Sequence, residues 1–319
     1  MKSWPRRLLW SAAPLAIAAS LLVAPAGRAM AQAIAEQLAT CKKEGGGLST
    51  RIAACTWIID KAKHNEDIRI EAHLHRGVLH ERAGDKEAAI KDYSDVIALD
   101  AGNALAHFNR GNVHDQQGDH DRAIADYTQA IKIDATDADV FNNRGQTYEY
   151  KGEYTLAITD YTESIRLNPK NAGAFFNRGS AYEQLGEHDR AIADYSESIR
   201  LDASDPEVFN SRGQAYDYVG NHDLAIADYN QSIRLSRDNP RSYFNRGVAH
   251  ANKDDYKAAV ADFDEAIRLD PRDADAYLSR GAMHEELGNA AAARADYAKA
   301  LEILPEHEDA RESLARLGN

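Results

Sequence analysis

The chain has 319 residues, of which 44% are hydrophobic and 28% are charged, with 20 glycines and 8 prolines. This composition excludes collagen-like, low-complexity and disulfide-dense proteins, and two cysteines are too few for a disulfide scaffold or a four-thiolate metal site. The formal net charge of −13 argues against broad nucleic-acid binding and against adsorption to anionic lipid.

Residues 1–31 have the pattern of a secretory signal peptide. A positively charged segment is followed by an apolar stretch over residues 8–24 and by the small-residue site Ala-Met-Ala at residues 29–31. The positive segment contains Lys2, Arg6 and Arg7. We expect cleavage after Ala31, which would place the mature protein in a bacterial periplasm or outside the cell.

An uncleaved membrane anchor is the alternative for this segment. Its apolar stretch has about 17 residues, which is at the short end for crossing a bilayer, and Pro14 interrupts it. Residues 1–31 contain four basic residues and no acidic one, so their removal would leave a net charge of −17. We therefore expect an acidic mature protein without stable membrane insertion, for which basic partners are possible.

The rest of the chain is dominated by a period of 34 residues. The dipeptide Arg-Gly recurs seven times at this spacing and divides residues 70–307 into seven units without an insertion. The units begin at residues 70, 104, 138, 172, 206, 240 and 274. Such a period is typical of a repeat protein, in which each unit is one supersecondary structure. We number the positions of each unit from 1 to 34.

Each unit has the residue pattern of two packed helices. Position 8 is glycine, position 20 is alanine and position 24 is tyrosine or phenylalanine in every unit, so that two backbones can approach closely beside an aromatic ring. Position 15 is glycine in every unit but one, where Asp254 takes its place, and a left-handed residue there would end the first helix. The pattern predicts a helix A over about positions 1–14 and a helix B over about positions 17–30.

The period and these glycine, alanine and aromatic positions make the chain resemble the tetratricopeptide repeat family. The resemblance implies an all-α fold, a right-handed superhelical α-solenoid of helix–turn–helix repeats. It also implies a non-enzymatic scaffold or adaptor that binds peptide or protein partners in a concave groove.

The segments on either side of the seven units are predicted to be caps. Part of residues 32–69 aligns with helix B of the second unit, so this segment is expected to hold a degenerate hairpin. Cys41 lies on its first predicted helix and Cys55 on its second, and we expect them to form a disulfide in an oxidising compartment. A redox-active cysteine pair is the alternative. Residues 308–319 are predicted to form a C-terminal capping helix.

In the tetratricopeptide repeat family, positions 2, 5, 6, 9, 12 and 13 of helix A line the groove. Phenylalanine alternates with asparagine at position 5 of this chain, asparagine recurs at position 6, and acidic residues occupy position 12 in six units. The candidate groove residues are Phe108, Asn109, Asn143, Glu149, Tyr150, Phe176, Asn177, Glu183, Asp217, Tyr218, Phe244 and Asn245. Asparagine can donate to and accept from a peptide backbone, and acidic side chains favour Lys or Arg on the ligand. We expect a partner with basic and apolar residues, the alternative being a solvated acidic face with asparagines that only cap or pack.

Position 7 is arginine and position 23 is aspartate in every unit. These two positions lie at nearly the same height in an antiparallel hairpin, so that Arg110 and Asp126, for example, could pair. We expect a structural ladder of ion pairs, because each arginine has its own aspartate and a guanidinium can hold a carboxylate through two hydrogen bonds. The alternative is an arginine ladder that binds an anionic ligand.

Catalysis and metal binding have little support in the sequence. It contains no nucleophile elbow, phosphate-binding loop, dinucleotide fingerprint or zinc-protease motif. Histidine and tyrosine share position 11, which indicates a packing position rather than a metal ligand. We expect no metal, no cofactor and no nucleic-acid partner. An accessory factor in envelope or polysaccharide assembly and an enzyme with scattered acidic residues stay open as other functions, and self-association is possible.

Overall fold

The computed structural model describes residues 25–43 and 45–318, which form two compact units, 25–99 and 100–318. The described residues contain seventeen helices and no strand, which confirms the predicted all-α class. The positive and apolar segments predicted for the signal peptide, within residues 1–24, lie outside the described residues. In the described part of the chain, no helix combines the length and the hydrophobicity that crossing a membrane requires.

The N-terminal unit holds two pairs of helices. They are α1 Pro25–Lys42, α2 Leu48–Lys61, α3 Glu66–Ala83 and α4 Lys86–Leu99. Helix α1 continues through the cleavage site predicted at residues 29–31. Helix α3 begins four residues before the first unit of the repeat register, because Oδ1 of Asn65 accepts a hydrogen bond from Ile68 N at 3.0 Å and caps the helix there.

A disulfide joins Cys41 near the end of α1 to Cys55 in α2, as the sequence predicts. Both cysteines are fully buried and belong to one apolar cluster with Ile58 of α2 and Leu79 of α3. Closing a loop of this length, 14 residues, stabilises a fold by about 3 kcal/mol in the chain-entropy model. Burial of both residues favours a structural bridge over a redox-active pair, because thiol exchange needs access to a sulfur atom.

The C-terminal unit is a series of six helical hairpins followed by one helix. Its helices are α5 Ala104–Gln116, α6 His120–Ile133, α7 Ala138–Tyr150, α8 Tyr154–Leu167, α9 Ala172–Gln184, α10 His188–Leu201, α11 Pro206–Tyr218, α12 His222–Leu235, α13 Pro240–Asn252, α14 Tyr256–Leu269, α15 Ala274–Glu286, α16 Ala290–Ile303 and α17 Glu308–Gly318. In each hairpin the odd-numbered helix is helix A and the even-numbered helix is helix B. Helices A cover positions 1–13 and helices B cover positions 17–30, and each helix packs against the next one along the chain.

Short-range signals in the sequence set both ends of helix A. An Asn or Asp precedes the helix and accepts a hydrogen bond from its first turn, as Asn103 does from Ala106 N at 3.0 Å. A glycine then ends the helix in the left-handed region, for example Gly220 with a φ of 79°. Asp254 takes the equivalent place with a φ of 60° and is the one non-glycine residue with positive φ in the described part of the chain. An L-residue is strained in this region, although Asp tolerates it better than most.

The two helices of a hairpin meet where a glycine faces an aromatic ring. A Cβ atom on Gly179 would lie 2.8 Å from Cε1 of Tyr195, which is closer than side chains pack. Tyr195 and Ala191, at positions 24 and 20, are buried. The same close contact recurs between position 8 and position 24 in each of the other hairpins of the repeat. The close approach of the two backbones that the sequence predicts is therefore confirmed.

We expect Asp254→Gly to stabilise the protein and Gly220→Asp to destabilise it, each by about 1 kcal/mol, because only glycine takes the left-handed conformation without a steric cost. The two substitutions are matched, since both residues follow helix A at position 15. Thermal unfolding followed by circular dichroism measures both. A shift of the two midpoints in the same direction would contradict the role of position 15 as a left-handed helix stop.

Candidate peptide-binding surface

The position 7 arginine and the position 23 aspartate of each hairpin form an ion pair. In the hairpin of α9 and α10, Nε and Nη2 of Arg178 donate to the two carboxylate oxygens of Asp194, both at 2.8 Å. The equivalent pairs are Arg76–Asp92, Arg110–Asp126, Arg144–Asp160, Arg212–Asp228, Arg246–Asp262 and Arg280–Asp296. All seven aspartates are buried, and the predicted structural ladder is confirmed.

These arginines have a third partner, which the sequence pattern did not predict. Nη1 of Arg178 donates to Oγ1 of Thr162, at position 25 of the preceding hairpin, at 3.1 Å. Nη1 of Arg212 reaches Oγ of Ser196 in the same way at 3.0 Å. One guanidinium therefore connects two hairpins. The signal for this contact is an oxygen-bearing side chain at position 25, which recurs from residue 94 to residue 264.

Asparagines connect neighbouring helices A on the candidate groove. Nδ2 of Asn177 donates to Oδ1 of Asn142 at 3.1 Å, and Nδ2 of Asn245 donates to Oδ1 of Asn210 at 3.0 Å. The two acceptors, at position 5, are buried, with exposed fractions of 1% and 0%. The alternation at position 5 thus has a structural use, because each asparagine there orients the position 6 asparagine of the next hairpin.

The other two candidate asparagines lie on α5 and α7. Nδ2 of Asn143 donates to Oδ1 of Asn112 at 2.9 Å, and Asn112 also accepts from the hydroxyl of Tyr127 at 2.8 Å. Asn109 is partly buried on α5. An asparagine amide has two N–H donors and one carbonyl acceptor, so a position 6 asparagine that donates once to its neighbour keeps capacity for a ligand backbone.

The three candidate phenylalanines are partly core residues. Each is partly buried and packs on the position 24 ring of its own hairpin, with ring centroids 5.6–6.0 Å apart. The pairs are Phe108–Tyr127, Phe176–Tyr195 and Phe244–Phe263. These phenylalanines therefore leave part of their apolar surface uncovered and use the rest to hold helix A on helix B.

The acidic side chains at position 12 are partly buried acceptors rather than a freely solvated face. Glu149 accepts hydrogen bonds from the hydroxyls of Tyr161 and Ser180, both at 2.8 Å. Glu183 accepts one from the hydroxyl of Tyr195 at 2.7 Å. Within the described residues, neither glutamate forms an ion pair with Lys or Arg, in contrast to the aspartates of the ladder.

Burial changes the acidity of this row. It raises the pKa of Glu183 above its usual 4.5, although the hydrogen bond from Tyr195 partly offsets the effect. Burial likewise raises the pKa of Asp217, against the opposing effects of His222, whose Nδ1 lies 2.8 Å away, and of the Tyr229 hydroxyl at 2.9 Å. A negative charge on either side chain is therefore less well solvated than it would be on an open surface.

Tyr150 and Tyr218, at position 13, are the most exposed of the candidate residues. Their exposed fractions are 69% and 71%. One face of each ring stacks on a histidine at the start of the preceding helix B, with interplanar angles of 7°. The histidines are His120 at a centroid distance of 5.7 Å and His188 at 4.6 Å. The stacking holds the two tyrosines in place and leaves most of their surface available for contact.

A basic residue lies at one of the groove positions of helix A. Nη1 of Arg241, at position 2 of α13, donates to Oε1 of Glu207 at 2.7 Å, and Nη2 donates to Oε1 of Gln214 at 2.8 Å. None of these three residues is among the groove candidates predicted from the sequence. Oxygen atoms at positions 2 and 9 of α11 therefore hold a guanidinium of the next hairpin through two hydrogen bonds.

A possible metal-ligand group occurs away from the groove, in the N-terminal unit. Donor atoms of His73, Asp92 and Asp95 lie within 4.8 Å of one another. Arg76 donates to both carboxylate oxygens of Asp92. Burial would raise the pKa of this aspartate, but hydrogen bonds from His73 and Arg76 outweigh it and lower the pKa. A guanidinium beside the donor set disfavours a cation, so the cluster fits an ion-paired core.

Comparisons with known proteins identify the family. Models of the tetratricopeptide repeat match residues 104–137, 142–206, 210–271 and 252–308, and a related repeat model matches residues 80–118. The chain belongs to the tetratricopeptide repeat family, whose repeats indicate a scaffold for protein–protein interaction. A comparison with curated protein sequences found no match.

Solved structures of this fold resemble the chain at low sequence identity. The C-terminal part of a repeat protein from Cytophaga hutchinsonii is 21% identical, with a TM-score of 0.63 over 75% of this chain and 98% of that chain. YrrB, described as a TPR protein with an unusual peptide-binding site, is 22% identical, with a TM-score of 0.52 over 59% of this chain and 96% of that one. MamA is 27% identical, with a TM-score of 0.51 over 54% and 94%.

We expect Arg178→Ala to lower the free energy of unfolding by about 3 kcal/mol, because it leaves the buried carboxylate of Asp194 without its partner. The matched control is Arg200→Ala. Arg200 also donates twice to one carboxylate, that of Glu197, but on the solvent-exposed side of α10, where water screens the ion pair and its loss should have only a small effect on stability. Urea unfolding compares the two variants, and equal losses would refute the structural role of the ladder.

The raised pKa of Glu183 predicts a pH dependence of stability with a definite sign. Because the folded state holds this proton more tightly, the contribution of Glu183 is most favourable below its unfolded pKa, 4.5, and is lost as the pH rises through the folded pKa. We expect the stability of Glu183→Gln relative to the unsubstituted protein to increase between about pH 4 and about pH 7.

The control for this measurement is Glu163→Gln. A hydrogen bond from Arg166 lowers the pKa of Glu163 on the outer face of α8, so the favourable contribution of this glutamate is present above its unfolded pKa and is lost as the pH falls. Its variant should show a weaker trend of opposite sign in urea unfolding. Parallel pH profiles for the two variants would show that burial does not set the behaviour of Glu183.

Proposed function

We propose that this protein binds a segment of a partner protein, rich in basic and apolar side chains, on the groove surface of helices α5, α7, α9, α11 and α13. The partner is held outside the bacterial cytoplasm. The protein acts as a non-enzymatic scaffold or adaptor, which is the general use of stacked helical hairpins with an extended binding surface.

The distribution of charge partners carries the proposal. Each buried aspartate of the ladder has an arginine, whereas Glu149 and Glu183 accept from hydroxyl groups and have no Lys or Arg partner among the described residues. A partly buried carboxylate gains from a charge-assisted hydrogen bond when a ligand supplies a cation. Lys and Arg side chains of a partner would fill this role.

The apolar part of the ligand is expected to meet the aromatic side chains of the same surface. Tyr150 and Tyr218 are exposed by 69% and 71%, and their stacking on histidines limits the conformational entropy that binding would remove. Position 6 asparagines such as Asn177 and Asn245 are already oriented by their neighbours and are placed to bond the ligand backbone.

An extracytoplasmic location is supported by two independent features. Residues 1–31 have the charge, apolarity and cleavage-site pattern of a secretory signal peptide. Cys41 and Cys55 form a buried disulfide, and such bonds persist in oxidising compartments such as the periplasm.

Affinity capture from an envelope extract tests the groove. The protein is immobilised beside Glu149→Lys/Glu183→Lys, which reverses two groove charges. The control is Glu163→Lys/Glu197→Lys, which makes the same change of charge at two partly exposed positions of the helices B α8 and α10, outside the candidate groove residues. We expect a stoichiometric partner that the control retains and the groove variant loses by at least about tenfold, because like charges across an interface are costly.

The isosteric double variant Glu149→Gln/Glu183→Gln controls for misfolding of the charge-reversed variant, since a glutamine can still accept hydrogen bonds from Tyr161 and Tyr195. We expect it to keep the circular dichroism spectrum of the parent and to bind the partner more weakly. Equal capture by the parent and by both groove variants would exclude this surface as the binding site.

A further inference from the structure

The turns between helix A and helix B carry a recurring contact between neighbouring hairpins. Lys151, the residue after α7, donates from Nζ to Oδ1 of Asp121 in the first turn of α6 at 2.7 Å. Lys253, the residue after α13, forms the same ion pair with Asp223 in the first turn of α12. In both cases the residue at position 14 neutralises the position 18 aspartate of the preceding hairpin.

In a hairpin between these two contacts, position 14 is not a lysine. Asp189 is the position 18 aspartate of α10, but the residue at position 14 of the next hairpin is Val219. No ion pair of Asp189 occurs among the described residues, and the neighbouring Arg190 pairs with Glu187 instead. All three aspartates lie in the first turn of a helix, where the helix dipole favours a carboxylate, so the missing cation is what distinguishes Asp189.

Exposed apolar residues occupy the turn positions next to Asp189 in the repeat, where Val219 takes the place that Lys151 holds beside Asp121. Val219 is 38% exposed, Leu185, the residue after α9, is 43% exposed, and Tyr218 is 71% exposed. The ring of Tyr218 stacks on His188, next to Asp189, at a centroid distance of 4.6 Å. We call Leu185, His188, Asp189, Tyr218 and Val219 the central turn patch. In the hairpins of α5 to α7, the equivalent positions of Leu185 and Val219 are polar, Gln117 and Lys151.

The turn between α5 and α6, which is equivalent to the turn between α9 and α10, borders a concave surface. The turn between α5 and α6, together with Lys151, frames a shallow pocket of about 410 Å³ that is lined by Gly118, Asp119, His120 and Asp121 as well. The Tyr150–His120 stack beside it matches the Tyr218–His188 stack of the central turn patch. Lys151 lines this pocket and reaches Asp121 from position 14, and position 14 is the place that Val219 takes beside Asp189 in the repeat.

We propose that the central turn patch is a docking site for a cationic residue adjacent to an apolar residue on the partner. The ammonium or guanidinium binds the carboxylate of Asp189, in the place that Lys151 and Lys253 fill for the other two aspartates. The apolar neighbour packs on Leu185 and Val219 and on the open face of Tyr218. This inference rests on the proposed function, since it assigns one anchor point of the same basic and apolar partner.

Exposed apolar side chains beside a carboxylate favour this occupant over a purely apolar one. Burying Asp189 under an apolar ligand would desolvate its charge without compensation. A ligand cation compensates the charge while its apolar neighbour removes the exposed surface of Val219 and Leu185 from water, at about 25 cal/mol per Å² of apolar area.

The substitution Val219→Lys tests the site, because it supplies an internal cation that would compete with the cation of the ligand for Asp189. The introduced ammonium would pair with Asp189 as Lys151 pairs with Asp121, so we expect a folded protein with an unchanged or slightly raised thermal midpoint. The probe is the dipeptide acetyl-Lys-Leu-amide, titrated into the isotope-labelled protein and followed by NMR. We expect shift changes at residues 185, 189, 218 and 219, and an apparent affinity about fivefold weaker in Val219→Lys, the factor that an exposed ion pair can supply.

The reverse substitution, Lys151→Val, is the matched control. It removes the internal cation from Asp121 and places an apolar residue beside Tyr150, so we expect a second set of shift changes around residues 120, 121 and 150. Acetyl-Glu-Leu-amide should produce neither set. Added salt should weaken the binding of the cationic dipeptide, because the ion pair is exposed.

The outcomes separate this inference from the proposed function. Shift changes confined to groove residues such as Glu149, or equal affinity in the parent and Val219→Lys, would overturn the docking site and leave the groove proposal standing. Equal shifts with the Lys and Glu dipeptides would also overturn it. Loss of partner capture in the groove variants together with an intact response at the central turn patch would support both surfaces independently.

Discussion

The ion pair between the position 7 arginine and the position 23 aspartate is the constraint on which the repeat depends. It places a charge on each helix of a hairpin in a region that water barely reaches, and such charges are tolerated only when they are paired and fully hydrogen-bonded. The third guanidinium nitrogen of Arg178, Nη1, donates to the hydroxyl of Thr162 in the preceding hairpin. One side chain therefore fixes the height of helix A on helix B and the register of one hairpin on the next.

This internal pairing also affects which partners are left for the carboxylates of the candidate groove. The ladder engages the position 7 arginines of helix A, and the position 12 carboxylates of Glu149 and Glu183 accept instead from the hydroxyls of Tyr161 and Tyr195. Burial beside a carboxylate raises the pKa of both tyrosines, so they stay protonated donors. The result is a charge-balanced interior below a row of acidic groups, and the proposed binding of a basic partner rests on this arrangement.

Features that depend on one hairpin could be predicted from the sequence, whereas contacts between hairpins could not. The left-handed Asp254, the contact of Gly179 with Tyr195 and the ladder pairs all lie within one period, so residue type and spacing define them. The bond from Asn177 to the buried Asn142 requires the rotation between successive hairpins, which a linear pattern does not contain. The early start of α3 followed from Asn65, a cap that the repeat register does not include.

The alternation at position 5 means that the hairpins are not interchangeable during gene rearrangement. Loss of residues 172–205 alone would bring Ser211 to the place of Asn177, and the buried amide of Asn142 would lose its donor. Loss of residues 172–239 would instead bring Asn245 there and preserve the bond. Recombination within this array is thus tolerated best in steps of two repeats, so that the heritable unit is a pair of hairpins rather than one.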